Sequence, residues 1–320
     1  MAMKIDPKAI KRVLVIGLSC LGDMLLASAA LWNLRLYLKE AHFTLWVGPR
    51  ALGAVEGDPL WDEVVLYDRQ GEYAGLRGRA KAIRWMRRGL YDLIVDLRST
   101  LMPLLSGARF APLWGFRGVL APKGIHEAER NIAAVASLGV PIAVRRLRFY
   151  VPQSARDAAD RLIGPALKGR PLVVLNPSGS IPEKRWPVER FSGLGLCLAE
   201  RYGAAVGVLG YLEREIELAK AVLEALGKNG LDLTGRHSLP LVGAFLERSA
   251  LFVTNDTGTL HVASALMTPT VGIYLLRNAA RFGPWGGPHV VVASLVDDVR
   301  EIPLEQVAEA CDFLLGESGA

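Results

Sequence analysis

The run Ala250-Leu251-Phe252-Val253-Thr254-Asn255-Asp256-Thr257-Gly258-Thr259-Leu260-His261-Val262-Ala263-Ser264-Ala265-Leu266 decides how the chain is read. Its first residues form a short apolar stretch suited to a buried strand, and its last five continue as a helix. A strand–turn–helix step is the place where open α/β sheets bind ligands. The turn carries an acid, hydroxyls, a glycine and a histidine at a helix N-terminus, where free N–H groups attract phosphate. Asp256 or Thr257 could act simply as a helix cap. Capping accounts for one or two of these residues, not for Asp256, Thr257, Gly258 and His261 together, so a binding site is expected. His261 falls about one turn into the helix, near the same edge.

The same alternation extends through the chain twice. Val13–Gly17, Phe43–Val47, Val64–Tyr67 and Leu93–Leu97 read as strands, with a helix at Met24–Leu38 and another at Asn131–Leu138 closed by Gly139 and Pro141. Unbroken Val/Ile/Leu runs of this length suit a parallel sheet covered on both faces. The pattern then restarts. Pro152–Pro171 reads as a helix connecting two domains. Leu172–Asn176, Ala205–Leu209, Leu251–Thr254, Thr270–Tyr274 and Val290–Val292 follow as strands, with helices at 189–201, 213–226, 239–248 and Leu304–Leu315. The expectation is an α/β chain of two βα halves facing a cleft, with domains at 1–155 and 171–302 and a terminal helix over 303–320.

Composition narrows the class. The 320 residues are 51% hydrophobic and 22% charged, as in a globular protein with ample core. Cys20, Cys197 and Cys311 lack metal-type spacing, which argues for a reducing compartment and against a disulfide framework. Lys4, Lys8, Lys11 and Arg12 before an apolar run imitate a signal peptide, but Gly17, Gly22 and Asp23 interrupt that run. No apolar stretch reaches the roughly 20 residues of a spanning helix. A cytoplasmic protein is expected, one that can also work at the cytoplasmic face of the inner membrane.

The net charge of +6 is uneven. Residues 1–150 hold 22 Lys and Arg against 13 Asp and Glu (+9), and the remainder 16 against 19 (−3). The densest basic run is Arg77, Arg79, Lys81, Arg84, Arg87 and Arg88, interleaved with Trp85 and Met86. Arg84, Arg87 and Arg88 are the candidates for contact with anionic lipid or a phosphorylated glycan. The plain alternative is a solvated helix face. No nucleic-acid module accompanies the charge, so nucleic acid is not an expected partner.

Two further turns sit at strand ends. Gly17-Leu18-Ser19-Cys20-Leu21-Gly22-Asp23 is a strand-to-helix turn that lacks the G-x-G-x-x-G dinucleotide fingerprint. Asp23 in that segment reads first as an N-cap, and second as a carboxylate base at the sheet edge. Asn176-Pro177-Ser178-Gly179-Ser180-Ile181-Pro182-Glu183-Lys184-Arg185-Trp186-Pro187 follows a strand as well. Its small residues allow close approach to a phosphate, Lys184 supplies positive charge, and Trp186-Pro187 fixes the next helix start.

Together the three turns resemble glycosyltransferase family 9, the ADP-heptose:lipopolysaccharide heptosyltransferases. Val15–Asp23 resembles the family's opening strand with its S-x-L-G-D turn, and Asn176–Pro187 its K-x-W-P segment. Asn255–Gly258 with His261, followed by Pro269–Tyr274, resembles its D-[ST]-G-x-x-H segment. The chain departs from the pattern at Cys20, where serine is common, and at Ser28-Ala29-Ala30, where the family carries a proline. The resemblance implies a GT-B fold of two Rossmann-like domains, with the last helix returning to the N-terminal domain. It implies inverting transfer of a heptose or related sugar from ADP-heptose to a lipopolysaccharide inner-core acceptor, with no cofactor and no metal. Asp23 would be the general base. Lys184 and the Ser178, Gly179, Ser180 loop would hold the diphosphate. Thr257 and Gly258 would meet phosphate oxygens, Asp256 would orient the sugar, and Glu213 or Glu215 would meet the ribose. The expected partners are a nucleotide-sugar and a lipid-linked or phosphorylated glycan. Three rival readings are a nucleotide-sugar epimerase of the same architecture, a nonenzymatic membrane-surface binding protein and a nicotinamide dehydrogenase, the last disfavoured by the missing fingerprint.

Overall fold

Strands form where Val, Leu and Ile run without interruption, because such runs need cover on both faces and parallel sheets provide it. The computed structural model describes residues 4–98, 100–112, 124–235 and 237–317. It divides the chain into two compact units, Met1–Tyr150 and Val151–Ala320. The last three residues of the expected 303–320 segment lie outside the described residues.

The first unit contains β1 (Arg12–Ile16), α1 (Leu21–Tyr37), β2 (His42–Val47), β3 (Glu63–Leu66), α2 (Gly75–Arg88), β4 (Leu93–Asp96) and α3 (Glu127–Ala136). Its four strands pair in the order β3-β2-β1-β4, all parallel. β1 is internal, and Val13 to Ile16 are wholly buried. Each such side chain contributes about 1.5–3 kcal/mol of transfer free energy. The order reverses at β1: the chain first steps outward to β2 and β3, then returns to place β4 on the other side. Such a reversal opens a crevice at the C-terminal strand ends.

α2 explains its own basic run. Gly78, Ala82 and Met86 recur every four residues and are buried, while Arg84, Arg87 and Arg88 are exposed. Trp85 stacks its ring 5.8 Å from Tyr91 and 4.8 Å from Trp46. Trp85 and Met86 therefore serve the core, while the arginines and Lys81 face outward.

The second unit contains α4 (Gln153–Leu167), β5 (Leu172–Asn176), α5 (Val188–Tyr202), β6 (Ala205–Gly210), α6 (Glu213–Leu226), β7 (Gly230–Thr234), α7 (Leu239–Glu247), β8 (Ser249–Asn255), α8 (Gly258–Leu266), β9 (Thr270–Leu275), α9 (Leu276–Phe282), β10 (His289–Ser294) and α10 (Leu304–Glu317). Its sheet has the order β10-β9-β8-β5-β6-β7, again wholly parallel. The reversal falls between β5 and β8. Two expectations change here. The helix expected to connect the domains is a packed part of the second unit: α4 lies against α7, and its Arg156 forms two 2.8 Å bonds to Glu247. The terminal helix was expected on the N-terminal domain. Instead α10 buries Val307, Ala308, Cys311 and Leu314 in one core with Leu198, Val253 and Ile273 of the second unit. Its apolar face matches that sheet. No helix among the described residues is long and apolar enough to cross a membrane.

Candidate active site

At the reversal point of the second sheet, the ends of β5 and β8 are joined by side chains. Asn176 donates to the hydroxyls of Thr259 at 2.9 Å and Thr257 at 3.4 Å. Thr257 also lies 3.0 Å from the Thr254 hydroxyl and 2.9 Å from that of Thr259. Asn255 is fully buried. Its amide donates to the carbonyls of Pro177 and Ser178 at 3.2 and 2.9 Å, and its oxygen accepts from the Trp186 N–H at 3.1 Å. The turn after β5 is thereby fastened to the turn after β8.

Lys184 and Asp256 meet on this frame, with the Lys184 ammonium 2.6 Å from Asp256 Oδ2. Asn278 donates to the same oxygen at 3.1 Å. Both ions are largely shielded, with side chains 20% and 13% exposed, so the pair is screened less than a surface bridge. Tyr274 is buried beneath, and burial together with the Asp256 charge pushes its phenol well above the usual range. Trp186 anchors the Lys184 turn, since its indole N–H donates to Ile302 O at 2.8 Å.

Gly179 has a packing reason beside the phosphate approach its sequence context suggests. A Cβ there would stand 2.7 Å from Arg185 Cγ and 2.9 Å from the Lys184 carbonyl. The missing side chain thus lets the Lys184-Arg185 turn fold onto the loop, and Arg185 Nε closes it with a 2.7 Å bond to Gly179 O. Ser178 is buried, and its N–H donates to Asn176 Oδ1 at 3.1 Å. Ser180 is exposed, so of the two loop serines it is the accessible one. Thr257 occupies the N-cap position of α8 without a side-chain cap bond. Its hydroxyl is used in the Asn176 network, so the capping alternative does not account for it. His261 is only 4% exposed, one turn into the helix, which makes it part of the wall behind the turn. Glu215 accepts from the N–H groups of Tyr211 and Leu212, both at 3.1 Å. It closes the start of α6, which leaves Glu213 as the exposed carboxylate of the two.

In the first unit, β1 is followed by Gly17, whose N–H donates to Trp46 O at 2.7 Å. A Cβ at Gly17 would sit 2.9 Å from that same oxygen, so the turn admits no side chain. Asp23 is not the N-cap. Cys20 holds that position, without a side-chain bond, and Asp23 is the third residue of α1. The helix begins three residues before the expected Met24 because Leu21-Gly22-Asp23 form its first turn. An acid there is favoured by the helix dipole. Arg87 donates Nε–H to Leu105 O at 2.8 Å. That bond ties the arginine face of α2 to the short helix Met102–Leu105, where Leu104 and Leu105 are 55% and 53% exposed.

The sequence reading passed over Asn176, Asn255 and Thr259 as site-builders, although it quoted them. It passed over Asn278 and Arg98 altogether. Each is a single residue at a strand end or in a short helix, and no spacing rule marks it.

The family model described as glycosyltransferase family 9 (heptosyltransferase) matches residues 109–302. Among curated proteins, lipopolysaccharide core heptosyltransferase OpsX of Haemophilus influenzae is 21% identical over 93% of this chain and 89% of its own length. Among solved structures, a glycosyltransferase family 9 protein from Veillonella parvula has TM-score 0.86 and 25% identity, covering 99% of this chain and 100% of that one. The ADP-heptose lipopolysaccharide heptosyltransferase II of E. coli has TM-score 0.78 and 22% identity, covering 97% and 100%. The two parallel sheets are accordingly the two Rossmann-like domains of the GT-B fold.

Proposed function

The chain belongs to glycosyltransferase family 9, and on that premise we propose that it moves a heptose from ADP-heptose to a lipopolysaccharide inner-core acceptor, with inversion and without a metal. Family membership makes the chain a glycosyltransferase and sets aside the epimerase, binding-protein and dehydrogenase readings. The observation that carries the finer reading is the Lys184–Asp256 pair, at 2.6 Å, beside the N-terminus of α8 at the reversal of the second sheet. The E. coli relative acts with ADP-heptose, and a diphosphate needs positive potential of this kind.

Breaking the bond between sugar and diphosphate leaves positive charge on the sugar carbon and negative charge on the departing phosphate. Lys184 and the first N–H groups of α8 stabilise the departing charge, the task a metal performs in other transferases. Asp256 holds the ammonium in place before the donor arrives, then faces the sugar. Thr257 and Gly258 line the phosphate, Ser180 offers the accessible hydroxyl, and Glu213 meets the ribose. Asp23 takes the proton of the acceptor hydroxyl as it attacks. Arg84, Arg87 and Arg88 lie on one exposed helix face tied to exposed leucines, which suits peripheral contact with an anionic inner-membrane surface at its cytoplasmic side.

The test has two parts. ADP-heptose should raise the melting temperature more than UDP- or GDP-sugars, because a ligand that binds only the folded state stabilises it. Labelled heptose should pass to core lipopolysaccharide lacking heptose, and excess EDTA should leave the rate unchanged. Transfer from another nucleotide-sugar alone would replace the donor, and loss of activity restored by magnesium would replace the metal-free mechanism.

A further inference from the structure

β1 and β4 lie side by side where the first sheet reverses, and the Arg98 side chain crosses that point. Arg98 follows β4 by two residues and donates Nε–H to Gly17 O, just past β1, at 2.6 Å. Its guanidinium carbon lies 5.9 Å from the centre of the Tyr67 ring, beyond β3. A Cβ on Gly48, just past β2, would be 3.6 Å from Arg98 Nη2 and 3.7 Å from Ser19 Cα. The guanidinium therefore spans the C-terminal edge of the sheet, beside the turn that leads into Asp23.

This cation forms no salt bridge among the described residues: no carboxylate of theirs stands within salt-bridge distance of its guanidinium. Asp96 attracts it from β4, but its oxygens accept from the Arg98 and Thr100 backbone N–H groups, both at 2.9 Å, and from the Thr100 hydroxyl. Burial lowers the Arg98 pKa, against which the neighbouring Tyr67 and Asp96 raise it. A partly buried guanidinium that forms no salt bridge is costly on its own. An oxyanion received by it offsets that cost, and the planar fork of arginine matches a carboxylate or phosphate with two parallel bonds.

We propose that Arg98 receives an acid group of the acceptor, a phosphate or a carboxylate, and thereby sets which acceptor hydroxyl reaches Asp23. The assignment rests on the acceptor-side role given above to Asp23, but the anion site itself does not depend on transfer. In this role Arg98 binds and orients the acceptor, and the proton remains with Asp23.

The first measurement is made on the full-length protein with isotope-labelled arginine. The Arg98 Nε–H signal, assigned by its loss in Arg98→Gln, should move saturably on addition of inorganic phosphate or acetate. The tighter of the two anions identifies the acid group. A signal that neither anion moves overturns the proposal, whether or not the variants fold. The second measurement uses the acceptor. Arg98→Gln should raise its KM by about tenfold to a hundredfold, as for loss of a charged hydrogen bond, with ADP affinity unchanged in calorimetry and Arg98→Lys restoring part of the loss. An unchanged KM, or equal loss of ADP affinity, overturns the proposal. A wild-type protein that binds phosphate at Arg98 yet transfers no heptose would remove the transfer reading and leave the anion site standing.

Discussion

At the reversal of the second sheet, Asn176 bonds to Thr257 and Thr259 across β5 and β8, Asn255 holds the Pro177-Ser178 and Trp186 backbone, and Lys184 is already paired with Asp256. At the reversal of the first, Leu97 N–H reaches Ile16 O through the backbone and the Arg98 side chain reaches Gly17 O, and Asp23 stands on the first turn of α1. Both edges come from the same topology. The second is wired in advance, as suits a diphosphate of fixed shape, because groups already held in place lose little freedom on binding. The first shows fewer side-chain links among the described residues, and Arg98, Asp96 and Asp23 put charges of both signs on it. The lesson is that a shared fold fixes where the sites fall, while the density of polar links across the reversal separates a rigid site from an adaptable one.

The largest expected effect comes from the sparsely furnished edge. Asp23→Asn should reduce turnover by roughly 10²–10⁴-fold if the carboxylate is the base. At the third helical position the lost charge should change stability by no more than about 1 kcal/mol. ADP affinity, a property of the other edge, should not move. A folded variant with near-normal turnover would end the division of labour between the two edges.

Next comes Lys184→Ala at the wired edge. Donor affinity should weaken by about 1.5–3 kcal/mol, the range for a hydrogen bond to a charged group. Acceptor KM should be unaffected. Unchanged ADP binding in calorimetry would assign Lys184 to Asp256 alone and leave the diphosphate to the helix terminus.

How much of this was legible in the sequence differs between edges and elements. The long apolar strands and the three strand-end turns are plain, because burial on both faces leaves a continuous run and a tight turn demands Gly, Asp or Ser. β7 is not plain. Gly230-Leu231-Asp232-Leu233-Thr234 is a short edge strand carrying an acid, and its pairing with β6 decides its state. α4 reads as a connection because prolines bracket it, whereas its ion pairs to Glu247 and Arg248 are tertiary facts. Gly179 shows the limit most clearly. The sequence marks a need for closeness, and the structure supplies its object, the Lys184-Arg185 turn. Arg98 carries no motif at all, and its importance lies in which strand end it reaches.

A smaller effect, on stability, tests the wiring itself. Asn255→Ala would leave the buried Trp186 N–H and the Pro177 and Ser178 carbonyls without their partner. We expect a loss of about 2–3 kcal/mol from unsatisfied buried groups. In a unit of this size that lowers the melting temperature by roughly 4–12 °C. Donor affinity should fall with it, because the turn bearing Lys184 loosens. Lost stability with intact donor affinity would mean that the wiring supports the fold and not the site.

The smallest effect concerns the basic face of α2. Arg88 ends that helix, exposed, and Arg87 is tied to Leu105 among exposed leucines. One arginine near an anionic bilayer contributes about 1 kcal/mol, so Arg88→Gln should weaken binding to phosphatidylserine-containing vesicles by roughly fivefold. The field falls off within about 8 Å at physiological ionic strength, so the difference should shrink as salt is raised. The same variant should show wild-type ADP affinity and wild-type KM for a small soluble acceptor, since α2 reaches neither proposed binding edge through Arg88. If soluble-acceptor KM rises as much as vesicle binding falls, the arginine face belongs to the acceptor site, and the sparsely furnished edge extends further than Arg98. If neither changes, the run is a solvated helix face, the plain reading that the burial of Gly78, Ala82 and Met86 already allows.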